Sequence, residues 1–390
     1  MKKLLSILMI FCLVLGLCAC GKEGNGSSAV SEVSSNTSSA VTEFFPAPEL
    51  QSLPAIWDTQ PTIKWSELKG GATARIVVED ESGNVIADKS GLTGTEYTLE
   101  VKLTAGKYYT LKAFYTRNGT ESSMAGITKR GRKIVCFPKK TATLKDIAKK
   151  IENSKDYLIT FVGDSVTLGI GNTGDEKSYP AFFARRLAEK FPNRQIVRYD
   201  GIINGERVPL KEYSAPITVS AGTGGKITVV RSGVGSSQVT DTINRMDTDF
   251  MGTANGRLPK KADLLVIHLG INDQGYGASA TEFKERLLNL GKKILCEQPE
   301  TDVIFMTPTS SVANSNAPAS ENPLNGHSDA MKAAAAEFGF PVIDMHAVWM
   351  KQYIQGGANF GMKKWHSDRW HPSDVGYEVM GDKIFADLFK

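Results

Sequence analysis

The sequence has 390 residues, of which 41% are hydrophobic and 23% are charged, and its formal net charge is +4. These values are typical of a globular protein with two or three domains. Because no basic stripe is present, the composition gives no support to nucleic-acid binding. Cys136 and Cys296, the cysteines that follow residue 20, are too few for a disulfide framework and form no CxxC metal site.

The first 20 residues predict a targeting segment. Lys2 and Lys3 precede an apolar stretch, Leu4–Leu17, that is too short to span a bilayer comfortably. The stretch runs into Cys-Ala-Cys-Gly, which resembles the lipobox of bacterial lipoproteins, in which the last cysteine is diacylated. The resemblance implies a signal peptide over residues 1–20, a lipid anchor on Cys20, and a location on the extracellular face of a bacterial cell membrane. The alternative is an ordinary signal peptide with chance cysteines.

Two segments of different composition follow the targeting segment. Residues 21–45 are almost all small or polar, and such a segment cannot bury enough apolar surface to fold, so we expect a disordered stalk. Residues 46–138 show short alternating strands. Within them Leu103–Tyr109 resembles the strand-turn-strand of fibronectin type III domains, with Trp65 as the early buried aromatic residue. We expect a small β-sandwich whose role, spacer or carbohydrate-binding module, the sequence does not decide.

Strands and helices alternate over residues 139–390. Apolar runs such as Leu264–Leu269 and Asp302–Met306 predict buried strands, and amphipathic helices separate them. This alternation predicts a parallel sheet with helices on both faces. Residues 201–225 look like an inserted hairpin and 309–326 like a long Ser/Asn/Pro loop, and long loops of this kind commonly form walls or lids of a site.

Ser165 follows the predicted buried strand Tyr157–Phe161, with Val162, Gly163 and Asp164 between them. Ligands bind at the carboxyl ends of the strands in an open α/β sheet, so a serine there is placed to react. A serine hydroxyl is a poor nucleophile unless a base takes its proton. On these residues alone, a polar turn is the simpler interpretation.

The histidines offer one good candidate for that base, with His366 as a competitor on the other side of Asp368. His268 lies in a predicted buried strand and reads as a core or near-site residue, whereas His327, in a predicted loop, and His346, at a predicted strand end, have no evident orienting group. His371 lies three residues after Asp368, close enough for the carboxylate to hold the imidazole N–H.

A third candidate site residue, Asn272, follows the predicted strand Leu264–Leu269. Asn272 lies at the same predicted edge of the sheet as Ser165, and the N–H of an asparagine side chain is a good oxyanion donor. An Asx-turn that closes the strand is the alternative interpretation.

Together these segments resemble the blocks of the SGNH (GDSL-type) hydrolases. Gly-Asp-Ser at 163–165, Gly-Ile-Asn-Asp at 270–273 and Asp-Arg-Trp-His at 368–371 occur in the family's order. The resemblance covers about residues 155–390. It implies an SGNH hydrolase domain over residues 139–390 with a three-layer α/β/α, flavodoxin-like parallel sheet.

The resemblance also implies a mechanism. It assigns esterase-type acyl transfer to Ser165, His371 and Asp368, with the Ser165 N–H and the Asn272 side chain in the oxyanion hole. The remaining block, a glycine that lends a backbone N–H, departs from the family pattern, because the family's glycine falls on Ser236 and Gly235 lies one residue earlier. Gly235 and Ser236 are therefore alternatives for this donor, and a positive φ at Ser236 would be strained.

The predicted function is a secreted, lipid-anchored serine esterase that removes acetyl groups from a polysaccharide. Trp365 and Trp370 flank the catalytic segment and could stack on sugar rings. The alternatives are a lysophospholipase or short-chain lipase of the same fold, and a non-catalytic carbohydrate-binding surface protein. A metal hydrolase that uses His366, Asp368 and His371 would lack further ligands at the usual spacing, so no metal or cofactor is predicted.

Overall fold

The computed structural model describes residues 48, 60–68, 70–104, 107–122, 132–135, 139–250, 261–310, 319–356 and 362–390. The predicted signal peptide, the stalk, Cys20 and Cys136 lie outside these residues and stay predictions. Within the described ranges, no helix has the length and the apolar character that a membrane span needs.

The described residues form both strands and helices. The strands are β1 (Thr62–Lys64), β2 (Thr73–Glu79), β3 (Val85–Leu92), β4 (Glu96–Thr98), β5 (Tyr108–Arg117), β6 (Thr120–Glu121), β7 (Arg132–Val135), β8 (Asp156–Gly163), β9 (Gln195–Ile202), β10 (Glu212–Tyr213), β11 (Ile217–Ala221), β12 (Lys226–Gly233), β13 (Leu264–His268), β14 (Asp302–Met306) and β15 (Val342–Ile343). The α-helices are α1 (Leu144–Asn153), α2 (Ser165–Leu168), α3 (Tyr179–Lys190), α4 (Val239–Asn244), α5 (Met246–Asp249), α6 (Ile271–Gly275), α7 (Ala280–Glu297), α8 (Asn325–Phe338), α9 (Met345–Gly356), α10 (Met362–Trp365) and α11 (Asp374–Phe389). Short 3₁₀ turns occupy Asp175–Lys177 and Ala319–Glu321.

The first seven strands form a small β-rich region. β3, β2, β5 and β6 follow one another in an antiparallel sheet, β7 pairs with β5, and β1 pairs with β4. Trp65 is fully buried in the core of this region. The hydroxyl of Tyr109 accepts a hydrogen bond from the Thr104 N–H at 2.8 Å, which ties the chain before β5 to the strand itself. Membership of the fibronectin type III class stays a prediction.

The larger sheet has the order β10-β9-β12-β8-β13-β14-β15, and β11 also pairs with β9. The strands from β9 to β15 in this order run parallel, while β10 and β11 are antiparallel to β9. The antiparallel strands belong to the predicted insertion at 201–225. Helices cover both faces, which confirms the predicted three-layer α/β/α class.

The alternation of side chains along β8 shows how the two faces are built. Leu158 and Val162 pack into the core that α7 and α8 cover, whereas Ile159 and Phe161 pack into the core that α1, α3 and α11 cover. Successive side chains of a strand point to opposite faces, so a strand that is buried on both faces is apolar throughout. This is why the residues of β8 before Ser165 do not alternate between apolar and polar side chains.

Three central strands end at the same level of the sheet. Gly163, the last residue of β8, pairs in register with Gly233 at the end of β12 and with His268 at the end of β13. A Cβ at Gly163 would lie 2.0 Å from Thr167 Oγ1, and one at Gly233 would lie 2.2 Å from the Leu168 nitrogen. Glycine at both positions therefore allows α2 to pack directly against the strand ends.

The turn from β8 into α2 buries a carboxyl group. Asp164 is fully buried and caps α2, because its Oδ1 accepts the Val166 N–H at 2.9 Å, while its Oδ2 has no partner among the described residues. Burial raises the pKa of the Asp164 carboxyl to about 7, although the bond from Val166 opposes this shift. A neutral, protonated Asp164 is thus favoured in the folded protein below that pH.

Replacing the glycine that touches α2 tests this packing. Gly233→Ala should lower the free energy of unfolding by about 1–3 kcal/mol, because the added methyl group meets the backbone of α2. Urea denaturation of the variant measures the loss. The matched control is Gly275→Ala, whose added methyl group meets nothing within 4 Å. An equal effect of the two substitutions would contradict the proposed close contact.

The buried Asp164 predicts a pH dependence of stability. Its pKa rises from 3.8 to about 7 on folding, so between these values the folded protein holds a proton that the unfolded chain has released. Its contribution to the free energy of unfolding therefore falls as pH rises from 4 to 7, by about 1.4 kcal/mol for each pK unit. In Asp164→Asn, which stays neutral, we expect stability relative to wild type to increase over this window and then to level off. Denaturation at pH 4, 5.5, 7 and 8 measures the difference, and a constant difference would contradict the assignment.

Candidate active site

Ser165, His371 and Asp368 form a hydrogen-bonded line. The Nε2 atom of His371 lies 3.0 Å from Ser165 Oγ, and its Nδ1 atom lies 2.6 Å from Asp368 Oδ2. Because a carboxylate only accepts hydrogen bonds, the proton of the imidazole is on Nδ1, and Nε2 is left to accept the Ser165 hydroxyl proton. This is the arrangement of a serine with a base and an orienting acid.

The loop of Asp368 is folded around its own carboxylate. Asp368 Oδ1 accepts the backbone N–H groups of Trp370 at 2.7 Å and of His371 at 2.8 Å. Partial burial works against ionisation, but the bonds from the His371 ring and from these two N–H groups lower the pKa of Asp368. The carboxylate therefore stays ionised at neutral pH and fixes both the position and the tautomer of the imidazole.

The base-bearing loop packs directly on the segment after α2. Gly171, with φ +93°, faces this loop so closely that a Cβ there would lie 2.1 Å from Ser367 Oγ and 3.0 Å from His371 Cβ. The Tyr377 hydroxyl on α11 donates to the Ile170 carbonyl at 2.6 Å. These contacts join the segment that carries Ser165 to the segment that carries His371, although the two segments are distant in sequence.

Asn272 lies at the start of α6, directly after β13. Its Nδ2 donates to the Ser237 carbonyl at 3.2 Å. An amide carries two N–H bonds, so the second is left for an oxygen bound beside Ser165. The neighbouring Asp273 is buried and accepts from Val239 N–H at 3.2 Å and Arg286 Nη1 at 2.9 Å. The segment of Asn272 is thus held against the segment that follows β12.

Gly235 and Ser236 form the turn after β12, and both line the pocket at Ser165. The Ser237 N–H donates to the Val234 carbonyl at 3.4 Å and closes the turn. Ser236 has φ +58°, a left-handed conformation in which glycine is far more common than serine. The strain expected for a serine at this place is therefore present. Among the described residues, neither the Gly235 nor the Ser236 N–H donates to another protein group.

The line of Ser165, His371 and Asp368 opens into a pocket of about 400 Å³. Its lining residues come from five segments of the chain: Ser165, Leu168, Ile170, Ile203, Gly205, Glu206, Gly235, Ser236, Ile271, Asn272, Gly275, Tyr276, Trp370 and His371. The insertion between β9 and β12 supplies one wall, as the sequence suggested for a long loop. Sequence reasoning missed Ile203, Glu206 and Tyr276, whose neighbours give no motif.

The remaining histidines are not among the residues that line the pocket at Ser165. His268 is fully buried at the end of β13, and burial lowers its pKa to about 3, so it is neutral; its ring nitrogens have no partner among the described residues. His327 lies in α8 and His346 in α9, so their predicted loop and strand-end positions were wrong. α8 begins before His327, and His346 Nε2 bonds Asn325 Oδ1 at 2.7 Å, which packs α9 on the start of α8.

The last tryptophans have separate roles. Trp370 lines the pocket, whereas Trp365 is not among the lining residues and packs on the buried Trp349 with ring centroids 5.1 Å apart. His366 is buried, and its Nε2 accepts the Trp349 Nε1–H at 2.9 Å. Burial lowers the pKa of His366 to about 4, in keeping with its acceptor role.

Among the described residues, no group of three or more His, Cys, Asp or Glu side chains is arranged to hold a metal ion.

Comparison with solved structures gives matches that each cover part of this chain. A two-domain esterase (CEX) active on acetylated mannans is 16% identical, with TM-score 0.45, over 64% of this chain and about half, 53%, of that chain. The acetyl xylan esterase AlAXEase is 18% identical, with TM-score 0.41, over 60% of this chain and 100% of that one. Axe2, an acetylxylan esterase from Geobacillus stearothermophilus, is 19% identical, with TM-score 0.43, over 60% of this chain and 94% of that one.

Comparison of sequences gives the family. No curated protein matches the sequence significantly. The sequence profile of the GDSL-like Lipase/Acylhydrolase family, however, matches residues 161–379, which is more than half of the chain and includes Ser165, Asn272 and His371. The chain therefore belongs to the GDSL-like Lipase/Acylhydrolase family.

Proposed function

We propose that the protein is a serine esterase that removes acetyl groups from a polysaccharide outside the cell. The observation that carries the catalytic part is the line from Ser165 through His371 to Asp368, which opens into the pocket. The predicted lipid anchor on Cys20 would hold the enzyme at the extracellular face of a bacterial membrane, where polymeric glycans are accessible.

The proposed reaction follows from this line of residues. Ser165 Oγ attacks the ester carbonyl carbon while His371 Nε2 takes its proton, and Asp368 stabilises the imidazolium that forms. The Asn272 amide and a backbone N–H of the Gly235–Ser236 turn stabilise the negative oxygen of the tetrahedral intermediate. His371 then returns the proton to the leaving alkoxide, and the acyl group stays on Ser165. A water molecule, deprotonated by His371, releases the acid and restores the serine.

The choice of a carbohydrate rests on the aromatic side chains around the pocket. Trp370 and Tyr276 both line it, and Tyr276 is 58% exposed, so a face of its ring is available to a ligand. Exposed aromatic rings that border a pocket with polar groups are suited to sugar rings, which present apolar C–H faces and polar edges. The Arg369 guanidinium lies 4.7 Å from the ring centre of Trp370, which supports the orientation of this ring.

A lipid-type ester is the second candidate. Ile170 and Ile203 line the same pocket and are 43% and 46% exposed. Exposed isoleucines at a pocket rim could contact an acyl chain. This observation favours a short-chain lipase or lysophospholipase, and the length of the preferred acyl group separates the two candidates.

Replacing the orienting acid tests the proposed mechanism. In Asp368→Asn the side-chain amide would donate to His371 Nδ1, so the imidazole proton would move to Nε2, which could no longer accept from Ser165. We expect kcat for 4-nitrophenyl acetate to fall at least about 10²-fold. The matched control is Asp387→Asn, an acid on α11 that pairs with Lys383 away from the pocket. If the two variants retained equal activity, Asp368 would not be the orienting group.

Replacing Trp370, an aromatic residue that lines the pocket, tests whether the substrate is a carbohydrate ester. We expect hydrolysis of acetylated xylan or mannan oligosaccharides, and a preference for 4-nitrophenyl acetate over the octanoate. Trp370→Ala should raise KM for the oligosaccharide about five-fold, since a stacking contact contributes about 1 kcal/mol, with little change in KM for 4-nitrophenyl acetate. Trp370→Phe should restore most of the difference. A preference for the octanoate, or an equal rise in both KM values, would contradict the carbohydrate proposal.

A further inference from the structure

Arg207 joins the insertion to the segments that surround Ser165. The insertion places Ile203, Gly205 and Glu206 on the pocket wall, and Arg207 is the next residue. Its backbone N–H donates to the Gly235 carbonyl at 3.1 Å. The residue that directly follows this pocket wall is thus bonded to the turn that holds the two alternative backbone donors.

The side chain of Arg207 fixes this contact on two further segments. Nε and Nη2 of its guanidinium donate to the two carboxylate oxygens of Asp241 on α4, at 2.9 and 3.3 Å. The same guanidinium lies 5.2 Å from the ring centre of Tyr276, next to α6. Asp241 in turn accepts the Gln238 N–H at 2.9 Å and so caps α4. Bidentate pairing of a planar guanidinium defines its orientation as well as its position.

The bond to Gly235 determines where the next N–H points. In a trans peptide the carbonyl of one residue and the N–H of the following residue point in opposite directions. Because the Gly235 carbonyl is directed at Arg207, the N–H of Ser236 is directed to the other side of that peptide. Ser236 lines the pocket together with Ser165, so the orientation of this one peptide decides whether its N–H can meet a substrate oxygen.

Arg207 and Ser236, the residue that follows Gly235, both have left-handed backbones. Arg207 has φ +60° and Ser236 has φ +58°, and among the described residues the one other non-glycine with positive φ is Asn118. For residues with a side chain, this conformation is energetically unfavourable. Such conformations persist where the surroundings hold them in place, and they concentrate at functional sites. Here the surroundings are the contacts of Arg207 itself.

We propose that Arg207 is a positioning residue for ester hydrolysis, which orients the Gly235–Ser236 peptide so that the Ser236 N–H is the backbone donor of the oxyanion hole. The guanidinium, held by Asp241 and Tyr276, keeps the Arg207 N–H against the Gly235 carbonyl. The proposal rests on ester hydrolysis through Ser165 and does not depend on which ester is the natural substrate.

The test removes the guanidinium and keeps the backbone N–H. Arg207→Ala and Arg207→Gly are compared with wild type on 4-nitrophenyl acetate, with active sites counted by fluorophosphonate labelling of the reactive serine. The glycine variant suits φ +60° and guards against a folding failure of the alanine variant. Arg207→Lys is the conservative variant, and Lys211→Ala, which removes an exposed cation of the same insertion, is the matched control.

We expect kcat per labelled site to fall about five-fold or more in the alanine and glycine variants, with KM changed less than about two-fold. This loss is smaller than the roughly 10²- to 10³-fold effect of deleting an oxyanion donor, because the donor remains and loses only its orientation. The rate constant of fluorophosphonate labelling should fall by a similar factor, since the phosphoryl oxygen needs the same donors. Arg207→Lys should recover part of both rates, and Lys211→Ala should match wild type.

A merely structural role would give a different result. The melting temperature and the fraction of labelled protein would fall, but kcat per labelled site would stay within about two-fold of wild type, and this outcome would overturn the proposal. A rise in KM alone would do the same, because it would assign Arg207 to substrate binding. If wild-type protein neither reacts with fluorophosphonate nor hydrolyses the ester, the proposed nucleophile itself is wrong, and the Arg207 proposal is overturned with it.

Discussion

The common level at which β8, β12 and β13 end is the constraint on which the rest of the site depends. Gly163, Gly233 and His268 pair in register, so the three segments that follow them start side by side. Backbone pairing in a parallel sheet fixes this level before any site residue makes a contact. Ser165, Ser236 and Asn272 each lie a few residues beyond a strand end, and that short distance is what brings them to one pocket.

Buried polar groups hold these segments below the pocket. Arg245 is almost fully buried, and its guanidinium donates to the Gly163 carbonyl at 2.8 Å and to Asp249 at 2.9 Å. Arg231, also buried, donates to Asp200 at 3.1 Å and to the carbonyl of Leu168 at the end of α2. A buried guanidinium is costly unless its N–H groups are paired. Because both arginines pair with the backbone on either side of Ser165, these hydrogen bonds also fix the turn that carries Ser165.

The accuracy of the sequence-based prediction differs between elements for a physical reason. β8 and β13 were predicted because they are apolar on both faces, and Ser165 and Asn272 were located by following them. β9 and β12 were not predicted, since charged residues interrupt their apolar runs. Those charges pair with one another inside the protein, as Arg198 does with Asp200 at 2.9 Å, and a linear pattern cannot show such pairing. Arg207 and Tyr276 were not predicted as site residues for the same reason, because their partners are remote in sequence.

The serine at 236 is best understood together with the bonds around it. A left-handed serine would relax to another conformation if its turn were free. The turn is instead bonded on both sides, by the Arg207 N–H on the Gly235 carbonyl and by the Asn272 amide on the Ser237 carbonyl. The second bond comes from the side chain that is proposed as the other oxyanion donor. The two donors are therefore held relative to each other by the same contacts that maintain the strained backbone. A pocket held in this way can stabilise a developing negative charge with little further movement, which is the condition for effective electrostatic catalysis.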